Sequence, residues 1–193
     1  MCRFFLYGAF LILTACGTAD QQAPADRKPS VALSKSANSD AFNESFAKLM
    51  DDYYLLKNNF IAEKDVSINT AARNMMVSAD SLALNEMKAD TNLIATAQTY
   101  SLGISSELKG LLGESTLEAK RRSFQMIGDQ LYDLIRTVQF DRAVIYHMYC
   151  ATAFSDQGAT WLNDLPQIRN PYIPKKMIDC GTVRDSIDFR PKK

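Results

Sequence analysis

Residues that break regular structure are scarce: 8 glycines and 6 prolines in 193 residues. That scarcity, with 8 Met and many Ala and Leu, favours helices. A single histidine, His147, excludes a facial triad and a zinc-peptidase helix, each of which needs two. No glycine-rich phosphate loop is present. There is no net charge either, with 22 Lys and Arg against 22 Asp and Glu. Without a basic stripe to neutralise phosphates, nucleic acid is not an expected partner. The one extended apolar run, residues 4–13, is too short for a permanent transmembrane helix. The apolar fraction of 47% and charged fraction of 23% are near globular averages, and the length suits one domain with a proper core.

The N-terminus carries a compact signal. Arg3 is a minimal positive n-region, residues 4–13 are an h-region, and Leu13-Thr14-Ala15-Cys16 fits a lipobox. Small residues before the cysteine let a signal peptidase reach the backbone. Residues 1–15 are therefore read as a lipoprotein signal peptide and Cys16 as the lipidation site. Acylation of Cys16 with palmitate-like chains would supply the two or more chains that stable membrane anchoring needs. The expected localisation is the cell envelope, on the periplasmic or outer-surface side. Residues 16–38 hold hardly any large apolar side chain, cannot repay their ordering entropy, and read as a flexible tether.

The expected domain spans residues 39–185, with 186–193 as a tail. A first helix starts near Ser39 or Asp40, where Phe42, Phe46, Leu49, Tyr53, Leu56 and Phe60 recur at four- and three-residue steps. A second starts with Asp65 as N-cap, and a third runs from about Asp90 to Leu112, stopping at Gly113. A fourth opens on a capping box, Ser115 with Glu118, and reaches about Phe140. These elements and their short loops predict an all-α protein, an antiparallel four-helix bundle. After Arg142 the texture changes: residues 143–149 are β-branched and aromatic, suiting a short strand or a helix continuation. Gly158, Pro166, Asn170-Pro171, Pro174 and Gly181 then mark an irregular C-terminal segment wrapped on the helices.

That segment holds the chemistry. With Cys16 consumed by lipid, the mature thiols reduce to Cys150 and Cys180. In an exported protein such a pair reads as a structural disulfide, constraining the unfolded chain by about 3.5 to 4 kcal/mol. It also reads as soft-metal ligation, since thiolates and thioethers select Cu(I) and His147, Met148 and Met177 lie near in sequence. Free thiols are the third alternative, and all three stay open at this point.

Several runs look like a known family. They are His147-Met148-Tyr149-Cys150, Ala153-Phe154, Gly158-Ala159, Trp161-Leu162, Ile168-Arg169-Asn170-Pro171-Tyr172 and Met177-Ile178-Asp179-Cys180-Gly181, with Arg121 and Phe124 upstream. Together they resemble the domain-of-unknown-function 3347 family over roughly residues 40–185. That family is common in Bacteroidota lipoproteins, and a similar segment closes some copper/silver efflux adaptor proteins. The resemblance implies copper as a cofactor, held by Cys150, Met177 and Cys180 with His147 as a fourth ligand. It further implies an envelope partner such as a metal-efflux component. Two departures stand out: Ala151-Thr152 replaces the family's Pro-Met after the first cysteine, and Ile173-Pro174 follows the Asn-Pro-Tyr run.

No enzyme is expected. His147 and Cys150, three residues apart on a strand, would point to opposite faces, and the carboxylates Asp51-Asp52, Asp129, Asp133 and Asp141 read as solvated helix faces. Two functions remain: a membrane-anchored Cu(I)-binding lipoprotein, or a non-catalytic interaction or structural module stapled by a Cys150–Cys180 disulfide.

Overall fold

The computed structural model describes residues 30–31 and 38–191. The signal peptide, Cys16 and most of the tether lie outside the described residues. Four long helices come first. Helix α1 (Asp40–Ala62) is capped by the Ser39 hydroxyl, which accepts the Phe42 N–H at 3.1 Å. Its stripe of Phe42, Phe46, Leu49, Tyr53, Leu56 and Phe60 is fully buried. Helix α2 (Asp65–Asp80) starts one residue earlier than expected: Lys64 is the N-cap. Asp65 is left inside the first turn, where it accepts from the buried Lys120 Nζ at 2.6 Å.

Helix α3 (Thr91–Gly113) is capped by Asp90, whose carboxylate accepts the N–H groups of Asn92 and Leu93 at 2.9 and 3.0 Å. Helix α4 (Leu117–Val138) is capped by Thr116 rather than Ser115, its hydroxyl accepting the Ala119 N–H at 3.2 Å. The expected capping box is not formed: the cap moves one residue on, Ala119 takes the place three residues after it, and Glu118 pairs with Arg122 one turn on. Helix α1 packs on α2, α2 on α3 and α3 on α4, a bundle-like arrangement. No described helix is long and apolar enough to cross a membrane.

The expectation of an all-α protein is corrected after Arg142, because the short strand suited to residues 143–149 is joined by others into a small sheet, with irregular chain between them. Strand β2 (Ile145–Cys150) pairs antiparallel with both β3 (Ala159–Asn163) and β4 (Thr182–Asp188). Strand β1 (Ser30–Val31), from the stretch expected as tether, lies parallel to the end of β4, giving the order β1-β4-β2-β3. Strand β4 also reaches into the expected tail, where Ile187 is buried. Between Val183 and Asp185 it carries Arg184 as an extra residue opposite the His147/Met148 step, a bulge that kinks this partner of β2.

One face of the sheet lies on α4. Thr160 of β3 donates to Asp129 at 2.6 Å, and the His147 ring stacks on Tyr132 at 4.3 Å. Burial pushes the Asp129 carboxyl above its ordinary value, and the Thr160 bond works against that rise. Thr160→Val is expected to cost about 1–2 kcal/mol, read as a lower urea midpoint, because a half-buried carboxylate loses its donor. The outer edge of β3 is closed by two tyrosine hydroxyls. Tyr53 of α1 accepts the Leu162 N–H at 3.0 Å, and Tyr172 donates to the Thr160 carbonyl. Edge groups that would invite another strand are thereby consumed.

Candidate functional site: the stapled C-terminal loop

The segments on either side of β3, residues 151–158 and 164–181, lie over the sheet face that carries Met148 and Trp161, both buried. The covering begins with a short turn, α5 (Ala153–Asp156), in which Phe154, Ser155 and Asp156 take φ of 52°, 56° and 66°. Left-handed backbone costs an L-residue about 1–2 kcal/mol. Here it is held by the Phe154 ring, which lies 4.5 Å from the Arg122 guanidinium and 5.1 Å from the Tyr172 ring. Beyond β3 the chain turns at Asn170 and makes one more helical turn, α6 (Pro174–Met177), before reaching Cys180.

Asn170 organises this turn while fully buried. Its Oδ1 accepts the N–H groups of Tyr172 and Ile173 at 2.7 and 3.1 Å, and its Nδ2 donates to the Cys180 carbonyl at 2.9 Å. Gly181 follows with φ of 148°. A Cβ there would lie 2.8 Å from the Trp161 ring, so glycine is required by close approach as well as by backbone.

The two family-like residues on α4 hold the loop to the helices. Arg121 donates to the Pro171 carbonyl at 2.9 Å and to Glu63 at 3.0 Å, joining the loop to the C-terminal end of α1. Lys175 pairs with the same Glu63, and these cations, Lys175 foremost, hold its carboxyl below the ordinary value. Phe124 stacks on Tyr53 at 5.2 Å between ring centres and meets Phe60 and Tyr172 at a tilt, at 4.9 and 6.1 Å. Both positions are thus clamps between layers.

Cys150 and Cys180 meet. Their Cα atoms are 5.8 Å apart, within the range that a disulfide spans, and the bridge is formed. The Thr152 Oγ1 lies 3.4 Å from Cys150 Sγ and 3.2 Å from Cys180 Sγ. Cys150 is buried and Cys180 partly exposed at the rim.

Met177 stands in the same turn, its carbonyl accepting the Cys180 N–H at 3.2 Å, and its side chain is 43% exposed. His147 is separated from this group. It shares strand β2 with Cys150 at odd spacing, so its ring faces α4 while Cys150 faces the loop. Burial, then the Arg184 cation, keeps it below the ordinary histidine value. Among the described residues no group of three or more His, Cys, Asp or Glu side chains is gathered as a metal site.

Sequence reasoning missed Thr152, which a motif search reads only as a lost methionine, and Lys57. Lys57 interrupts the α1 stripe beside Leu56 and is buried, its ammonium donating to Asn163 and facing Asp164 at 3.4 Å. A cation within an apolar stripe was the available signal. A depression of about 310 Å³ lies at the start of α1, lined by Asp40, Asn43, Glu44, Ala47 and Arg142. There Arg142 already pairs with Asp40 and Asp141.

In comparisons with known proteins, no curated protein and no solved structure matches the chain. A family model, described as protein of unknown function (DUF3347), matches residues 49–142, a stretch that includes Arg121 and Phe124 and ends before the cysteines. From the middle of α1 to the end of α4, the chain carries the likeness of that DUF3347 family.

Proposed function

We propose that the chain is an envelope lipoprotein, anchored through Cys16, whose folded part is a non-catalytic interaction module stapled by Cys150–Cys180. The observation that carries this reading is the bridge itself. It ties the end of β2 to the entry of β4 and closes the loop that covers Trp161. A covalent tie at that place suits an oxidising compartment, where disulfides form and persist. The anchor, the envelope location and the partner, a further envelope component, follow from the N-terminal signal and remain part of the proposal.

A second reading keeps copper. Cys150 and Cys180 converge, and Met177 occupies the turn just before Cys180. After reduction the pair would offer two thiolates and a thioether to Cu(I), the donor set that soft monovalent copper prefers. His147 has no part in it from across the sheet.

Thiol titration of the mature chain, purified without reductant, tests the staple. No reactive thiol is expected before reduction, and both cysteines should react after it. Two reactive thiols before reduction would overturn the stapled module. Cu(I) transfer from a colorimetric chelator to the reduced chain then tests the second reading. Uptake should vanish in Cys150→Ser and in Cys180→Ser, and uptake unchanged in both discards copper at this site.

A further inference from the structure

We propose that the Cys150–Cys180 bridge is exchangeable, opened by an incoming thiolate at Cys180 Sγ with Cys150 as the leaving thiolate. The idea rests on the stapled reading above and adds a reaction to it. Three observations carry it: unequal exposure of the two sulfurs, a hydroxyl placed on both, and hydrogen bonds that tie the loop down beside the bridge.

Cys150 is 1% exposed, whereas Cys180 is partly exposed. Exposed residues flank the latter on both sides, residues 175–179 before it and 182–184 after Gly181. A reductant approaching from solvent therefore meets Cys180 first. Thr152 is itself exposed, with its oxygen 3.2 Å from Cys180 Sγ and 3.4 Å from Cys150 Sγ. An atom nearly equidistant from two bonded sulfurs sits beside their bond. It is off the line running past Cys180, along which exchange must occur.

The step balances simply. The incoming sulfur bonds to Cys180 Sγ, the bridge breaks, and its electron pair goes to Cys150 Sγ, which receives the Thr152 O–H hydrogen bond. The second thiol of a dithiol reductant then displaces Cys180. The reductant becomes a disulfide, and water supplies the protons that the two cysteines take up. A donor on the departing sulfur lowers its basicity and speeds its departure.

The loop has ties other than the bridge. Asn170 still binds the Cys180 carbonyl, the Asn170 N–H still reaches the Ile178 carbonyl at 2.6 Å, and Arg121 still holds Pro171. Opening is thus a local event at the rim, and the helices need not move.

The test uses the mature, oxidised full chain, first shown by thiol titration to hold the bridge, so that failure of the staple is seen separately. Thr152→Val should slow opening by dithiothreitol roughly three- to tenfold. The departing thiolate then leaves without its hydrogen-bond donor, and a more basic sulfur leaves more slowly. Thr152→Ser should restore the rate, which a packing role of the threonine methyl would not do. A brief pulse of glutathione, quenched in acid and mapped by peptide mass, should place the mixed disulfide on Cys180. Glutathione on Cys150, or equal opening rates in Thr152→Val and the native chain, would overturn the proposal. The mapping needs no variant, so it decides even if a substitution disturbs folding.

Discussion

Between about pH 10 and about pH 11.5 the domain is expected to lose about 4 kcal/mol of stability. Three tyrosines cause this. Tyr53 and Tyr172 are buried, Tyr54 is partly buried, and burial pushes all three hydroxyls above their ordinary value of 10.0. In the unfolded chain each ionises near pH 10, whereas in the fold each keeps its proton. The native state then binds more protons than the unfolded one, so the stability present below pH 10 is lost as the pH rises. Each tyrosine contributes about 1.4 kcal/mol per pH unit once well above its unfolded value.

Lys57 works the other way. Burial lowers its value below 10.5, so the unfolded chain holds that proton longer and stability gains slightly with pH. Its contribution over this range is under about 1 kcal/mol, because the unfolded lysine is itself losing its proton near pH 10.4. Urea midpoints across the range measure the net effect, and tyrosinate absorbance should rise together with unfolding. Tyr172→Phe should remove about a third of the loss. A midpoint that does not move would mean that these hydroxyls reach water.

Asn170→Ala is expected to destabilise the domain by about 4 kcal/mol, far more than a surface loop substitution would. The side chain satisfies two backbone N–H groups and one carbonyl, and the site is closed to solvent. Truncation leaves all three without a partner, at about 1–3 kcal/mol each, less whatever water regains. Asn170→Asp discriminates among the three. It can still accept from Tyr172 and Ile173 but cannot donate to the Cys180 carbonyl, so it should fall between the native chain and the alanine variant. Chemical denaturation of oxidised protein is the measurement, since the intact bridge keeps the loop closed in every variant. A loss under about 1 kcal/mol would mean that the disulfide, and not Asn170, sets the loop.

The four long helices were legible to within a residue or two. Their signals are local: an apolar stripe on α1, Asp90 before α3 and a threonine hydroxyl before α4 lie within one turn of what they cap or cover. The displaced cap at Thr116 shows the grain of such reading, because Ser115 and Thr116 offer the same chemistry at adjacent positions. The two cysteines were legible as a pair, since the lipoprotein reading leaves only these two, yet the choice between bridge, ion and free thiols was not. That choice depends on whether Cys150 and Cys180 come within reach, which spacing along the chain does not reveal.

The sheet was hidden for the same reason. Strand β2 was recognisable as β-rich, but its partner β4 lies more than thirty residues on, and β1 comes from a stretch with no apolar pattern at all. The roles of Tyr53 and Tyr172 at the β3 edge, and of Asn170 under the loop, belong to the same class. Composition and periodicity determined the helices and their buried faces, because a helix satisfies its backbone within itself and needs only one continuous apolar side. Sheet pairing, the closed edge and the meeting of the two sulfurs were decided by tertiary structure alone, because each requires groups distant in the chain to satisfy one another.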